Sequence, residues 1–244
     1  MGAAARPMSA RSTRRFRPGI PATLFTAFFL PLLLFLGSWQ LDRAAEKQAL
    51  FDAFAAGGPA VAVGAESTGL EELRRYAPVE ATGRYLAQQQ FLLDNMVAGG
   101  QAGYRVWTPL LVGEERVLLV DRGWVPRDFG ATQTPDVGVD TGSRTVTGLL
   151  DRLPRPGIEL DTNMVGGWPK VVQFPTRDEL AEALGRTVIP GVLLLDAAEP
   201  DGYLRDWRAS DFGPERHLGY AFQWFALAVT LVILYLAWSF RKSD

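Results

Sequence analysis

The sequence predicts an α+β chain: two transmembrane helices flanking a mainly antiparallel-β extracytoplasmic domain with a few helices. Three observations predict it. Residues 20–41 carry no charged side chain, nor do residues 218–240, and each run exceeds the roughly 18 apolar residues that span a bilayer core. Between them lie short β-type runs separated by glycine-rich turns. The ends of the chain outside both apolar runs are basic.

The apolar runs come first because they divide the rest. The first ends in Gly37-Ser38-Trp39-Gln40-Leu41, with no convincing small-x-small cleavage site, and it is long for the core of a leader peptide. It therefore reads as an uncleaved anchor. Arg6, Arg11, Arg14, Arg15 and Arg17 precede it, and Arg241-Lys242 follow the second run, so both termini are expected in the cytoplasm. The expected organisation is a basic cytoplasmic segment (1–19), a first span (20–41), an extracytoplasmic domain (42–216), a second span (217–240) and a cytoplasmic tail (241–244). That places the protein in a bacterial cytoplasmic (inner) membrane, crossing it twice. Residues 42–216 hold 18 basic and 26 acidic residues, a net of −8, which argues against nucleic acid as a partner.

Composition removes several chemistries. Cysteine is absent, so there is no disulfide framework, thiolate metal site, covalent haem attachment or cysteine nucleophile. The four methionines, at positions 1, 8, 96 and 164, are too scattered for a copper(I) site. One histidine at a membrane boundary cannot complete a Ser-His-Asp set within the domain, and no nucleotide-binding glycine loop occurs. The reading is that the chain is not an enzyme.

Within the domain, residues 42–54 have apolar side chains at helical spacing, which extends the first span outward until Gly57-Gly58-Pro59 stops it. A loop with short structure follows to residue 73. Residues 76–85, 90–95, 104–112 and 116–122 read as strands of an antiparallel meander. After a loop over 126–143 come further strands at 144–150, 170–174 and 188–196. Residues 176–184 read as a helix, with Thr176 as N-cap and Glu179 closing a capping box.

The candidate site residues cluster near the spans. His217, the only histidine, shares a helical stripe with Tyr220, Ala221 and Trp224 at the start of the second span. Its neutral ring can ligate the iron of a haem lying in the interface. It can equally be an interfacial residue beside the aromatic belt formed by Tyr220, Trp224 and Trp39. Gln40 and Gln223 lie near the outer ends of the two spans, where they can pair across a helical hairpin. Arg122-Gly123-Trp124-Val125-Pro126 reads as a strand end. There Arg122 either meets a carboxylate or simply belongs to a turn with a packed Trp124.

Four motifs in this order resemble the Surfeit-locus-one family of cytochrome c oxidase assembly factors. They are Gly37-Ser38-Trp39-Gln40-Leu41-Asp42-Arg43, Val79-x-Ala81-x-Gly83-x-Tyr85, Arg122-Gly123-Trp124-Val125-Pro126 and the run from His217 to Phe225. The resemblance implies a part in building a haem–copper oxidase, handling haem a between haem a synthase and the catalytic subunit. His217 matches the family's suspected haem ligand, and Trp39, Gln40, Arg43, Arg122, Trp124, Tyr220, Gln223 and Trp224 match other characteristic positions. The haem tail would lie in membrane lipid between the spans, with the propionates facing Arg43, Arg122 or Arg216. The alternative is a scaffold that stabilises oxidase intermediates without touching haem. The second motif departs from the family: Tyr85 stands where a Phe is usual, and Tyr76, preceded by Arg74 and Arg75, stands nearest the position of the usual arginine.

Overall fold

The computed structural model describes residues 14–130, 134–154, 166–209 and 212–242. Arg6, Arg11, Met1, Met8 and Met164 lie outside the described residues, as does part of the 126–143 loop. The chain forms two compact units, Leu50–Ala209 and the pair of end segments Met1–Ala49 with Ser210–Asp244.

The end segments form a helical hairpin. Helix α1 spans Ile20–Ala55, and the third helix, α3, spans Glu215–Ser239. Short strands β1 (Arg14–Phe16) and β10 (Phe240–Lys242) pair antiparallel at the far end. Only 6% and 11% of the most apolar windows of the two helices is covered by protein, so neither is the core helix of a soluble fold. α1 runs without a break from the apolar stretch into the unit Leu50–Ala209, where Leu50, Phe51 and Phe54 of its last turns pack in that unit's core. Two bilayer-length apolar helices with uncovered faces make this a two-pass membrane protein.

In the hairpin, Gly37 faces Phe225: a Cβ added there would lie 2.6 Å from the Phe225 ring. Small residues at such positions let membrane helices approach closely. Polar contacts hold both ends of the hairpin. Thr23 Oγ1 and Tyr235 OH lie 3.1 Å apart at one end, and His217 Nδ1 and Gln40 Oε1 2.8 Å apart at the other. Thr23 and Gln40 are 17 residues apart, or about 25 Å along a helix, close to the thickness of a hydrocarbon core. Each polar pair thus sits near one boundary of the apolar stretch.

The second unit is built on an eight-stranded mixed sheet. Its strands are β2 (Val61–Val63), β3 (Ala77–Tyr85), β4 (Phe91–Ala98), β5 (Gln101–Val112), β6 (Arg116–Pro126), β7 (Ser143–Asp151), β8 (Lys170–Val172) and β9 (Thr187–Leu195), in the order β2-β3-β7-β9-β6-β5-β4-β8. β4, β5 and β6 form the expected meander. β3 does not join it: it pairs with β7 along its length and meets β5 only at Arg84↔Leu111 and Tyr85↔Leu110. That last contact closes β3, β7, β9, β6 and β5 into a barrel. Helix α2 (Arg177–Leu184) starts with the capping box that its sequence announces, Thr176 and Glu179 each bonding the other's backbone N–H.

Period-2 alternation sorts side chains between two cores. Val79, Ala81, Tyr85, Leu110, Leu118, Val120, Val146, Ile189 and Leu193 fill the barrel interior. The opposite faces carry Phe91, Trp107, Val117, Leu119, Val192 and Leu194, which pack with Leu180 and Leu184 of α2. Arg74 donates to Ala53 O (2.9 Å) and Gly57 O (2.6 Å), putting a cation at the C-terminal end of α1.

The barrel explains the second motif. Val79, Ala81, Gly83 and Tyr85 are alternate residues of β3 and share its inward face. A Cβ at Gly83 would lie 2.3 Å from Leu111 O, so the seam with β5 requires glycine. Tyr85 is buried at 2% exposure and its hydroxyl has no hydrogen-bond partner. Burial raises its pKa to about 12 from an ordinary 10.0. The phenol is therefore favoured in the fold while protonated. That contribution is complete below pH 10, begins to fall once the unfolded phenol ionises, and is lost by about pH 12. Tyr85→Phe, which inserts the family's usual residue, is expected to leave stability at pH 7 unchanged or higher. In chemical unfolding of the purified full chain, it should also remove about 2–3 kcal/mol of the wild type's loss between pH 10 and 12.

Candidate functional site

The residues singled out by sequence fall into two groups, one in each compact unit. The first is centred on His217. α3 begins at Glu215 after buried Pro214, which places His217 in its first turn. The half-buried His217 ring is oriented by Gln40, whose Oε1 lies 2.8 Å from Nδ1. The expected partner of Gln40 was Gln223, and the structure corrects that. Gln223 is six residues along α3, about 9 Å deeper than His217, and is exposed. His217, not Gln223, is the residue that meets Gln40.

The stripe around His217 divides. Ala221 is buried and Trp224 half-buried, whereas Tyr220 points outward at 42% exposure. Trp39 is also exposed, and the Arg43 guanidinium lies 5.7 Å from its ring centroid while pairing with Glu46 at 2.7 Å. Arg216 stacks over Phe212 at 4.6 Å. His217 therefore has exposed aromatic and cationic neighbours on its own two helices, with Leu41, Leu218 and Phe222 presenting apolar surface beside them. Among the described residues, no cluster of three or more His, Asp or Glu side chains is placed to hold a metal ion.

The second group centres on Arg122, and here the structure overturns the reading of a strand end. β6 continues to Pro126 because Gly123, at φ 111°, makes an irregularity that the segment at Tyr203–Leu204 follows. Tyr203 N donates to Arg122 O and Trp124 N to Leu204 O. A Cβ at Gly123 would meet Leu204 O at 2.7 Å. Trp124 is half-buried; its Nε1 donates to Met96 O and its ring lies against Gly103.

Arg122 itself is 2% exposed. Its Nε donates to Asp201 O at 2.7 Å, one terminal nitrogen to Val137 O, Gln90 Oε1 and Thr108 Oγ1, and the other to Gly138 O and Tyr203 OH. The guanidinium also lies 4.9 Å from the Tyr203 ring centroid. All five of its N–H groups have internal acceptors, so it has none left for a haem propionate. Its place is structural: it ties the 137–138 loop and the 201–203 segment to β5, β6 and Gln90 at the entry to β4. Neighbouring Asp121 is equally buried, accepting from Gly123 N (3.0 Å) and Trp107 Nε1 (3.0 Å) beside Arg105 at 3.2 Å. Burial outweighs the Arg105 charge and raises its pKa. Sequence reasoning passed over Gln90 and Asp121, since a polar residue in a strand gives no sign of which face it takes.

Arg122→Ala would leave the carbonyls of Val137, Gly138 and Asp201 without that donor. It is expected to destabilise the full chain by several kcal/mol, read as a loss of thermal stability in detergent. Arg43→Ala, at an exposed pair, is expected to change it by less than about 1 kcal/mol.

Comparison with known proteins adds to this geometry. The model of the SURF1 family matches residues 27–229, a stretch holding most of α1 and α3 and the whole eight-stranded sheet. A SURF1-like protein of Rickettsia conorii is 26% identical over 222 residues, covering 86% of this chain and 88% of its own length. One from Rickettsia felis is 25% identical over 218 residues, with 84% and 91% covered. With the matched region spanning most of the chain and all four motifs, the protein belongs to the SURF1 family.

Proposed function

We propose that this chain is an assembly factor for a haem–copper cytochrome c oxidase that holds or delivers haem a for insertion into the catalytic subunit. The observation that carries this reading is the Gln40–His217 contact, which leaves Nε2 of the ring as the nitrogen not engaged by Gln40. Haem a, if bound, would supply an iron able to take an imidazole nitrogen, together with an apolar ring and tail and two propionates.

The residues present fit such a group. His217 offers an imidazole nitrogen at the boundary of the apolar helix, and Trp39, Tyr220, Leu218 and Phe222 offer exposed apolar surface for the ring and tail. Arg43 and Arg216 are exposed cations within one turn of Gln40 and His217 on their helices and can meet carboxylates; Arg122 is not part of this set. Haem a synthase as donor and the oxidase subunit as acceptor follow from this reading as partners.

An absorption spectrum of protein purified from membranes of a haem a-producing cell tests it. A haem a band is expected in the wild type and should be lost or shifted in His217→Ala. No band in either overturns haem handling in favour of a haem-free scaffold. The basic ends support a cytoplasmic (inner) membrane location with both termini in the cytoplasm. A reporter inserted within residues 60–70 should then be active outside the cytoplasm, and activity only inside would reverse the orientation.

A further inference from the structure

We infer that Gln40 is a positioning residue that fixes the tautomer of His217, holding the proton on Nδ1 so that Nε2 carries the lone pair. The inference deepens the haem reading and rests on it for its purpose, but the geometry stands by itself. Gln40 Oε1 is a carbonyl oxygen and can only accept, so at 2.8 Å the hydrogen between the two atoms belongs to Nδ1. A neutral ring with Nδ1 protonated has a basic Nε2, and which nitrogen can ligate is set by the hydrogen bond the other makes. Metal-binding histidines commonly donate their second nitrogen to such an acceptor, which fixes ring rotation and makes the ligating nitrogen more basic.

The surroundings make the device stiff. Three residues before Gln40 on α1, Gly37 lies directly against Phe225, so the helices pack closely about one turn from the contact. Ala221, one turn after His217, is buried at 2% exposure and continues the packed face of α3 on which His217 lies. A carboxamide rather than a carboxylate suits this depth, since it accepts the proton without placing a charge near the hydrocarbon boundary. A glutamate here would strengthen the bond but bring a charge with it.

The chain holds one histidine, so its imidazole nitrogens can be read without assignment. The experiment uses full-length protein labelled with 15N-histidine, purified through a tag free of histidine and placed in lipid nanodiscs at about pH 8.5, where free imidazole is neutral. The wild type is expected to show Nδ1 bonded to hydrogen and Nε2 without one. Gln40→Leu should shift the population toward the Nε2–H form, and Gln40→Glu, which keeps an acceptor, should restore the wild-type pattern.

Haem titration of the same samples should show a loss of affinity of about 10- to 100-fold in Gln40→Leu and recovery in Gln40→Glu. A wild type in the Nε2–H form overturns the inference, as does a Gln40→Leu chain whose nitrogen spectrum is unchanged. A wild type in the Nδ1–H form that takes up no haem leaves the role of Gln40 standing and overturns the haem reading instead.

Discussion

The closure of β3 onto β5 is the constraint on which the sheet-bearing unit depends. It involves only two register pairs, yet without it the five strands would be an open sheet with an unpaired edge and a half-covered face. Two features make it possible. Gly83 lets the two backbones touch, and the inward set Val79, Ala81 and Tyr85 places its bulk on one side of that contact. The second core, on the outside of the same strands, then has a rigid wall for α2 and the end of α1 to pack against. The cost is visible at Tyr85, whose hydroxyl has been carried into an interior that offers it no partner.

The motifs that identify the family turn out to be pieces of architecture that find one another. The first and the last meet through Gly37 with Phe225 and Gln40 with His217. The second closes the barrel. The third is held by the buried hub of Arg122, Gln90 and Thr108, with Asp121 beside it. A buried arginine with internal acceptors for every N–H is a strut for loops that have little apolar surface of their own, which is why this segment reads from sequence as though it were exposed and reactive. At the histidine end, by contrast, the exposed guanidinium groups of Arg43 and Arg216 lie within one turn of Gln40 and His217 on their helices.

Much of the fold was legible because its signals are local. Two charge-free runs reveal the spans, alternation reveals most strands, and Thr176 with Glu179 marks a helix start within a residue. What was not legible depends on partners far away in the chain. β3 leaves the meander because its partner along its length is β7, some 65 residues later. β6 runs past Gly123 to Pro126 because the segment at Tyr203–Leu204 pairs with it, although glycine and proline there look like an exit turn. Gln40 and His217 are 177 residues apart; each is visible as a polar group near a membrane boundary, but their equal depth depends on where α3 starts.

The order of strands has a kinetic consequence. β9, which joins β6 in parallel and β7 antiparallel, is the last strand of the sheet to be synthesised, and the barrel cannot close before it exists. Until then β6 and β7 expose unpaired edges, the kind of intermediate that aggregates or recruits chaperones. Only about 20 residues separate the end of β9 from the start of α3. Barrel completion and arrival of the second membrane helix thus fall almost together at the end of synthesis, while α1, made first, has already tethered the unfinished chain. A truncation anywhere before Leu195 should leave a membrane-bound, unfolded domain rather than a smaller folded one.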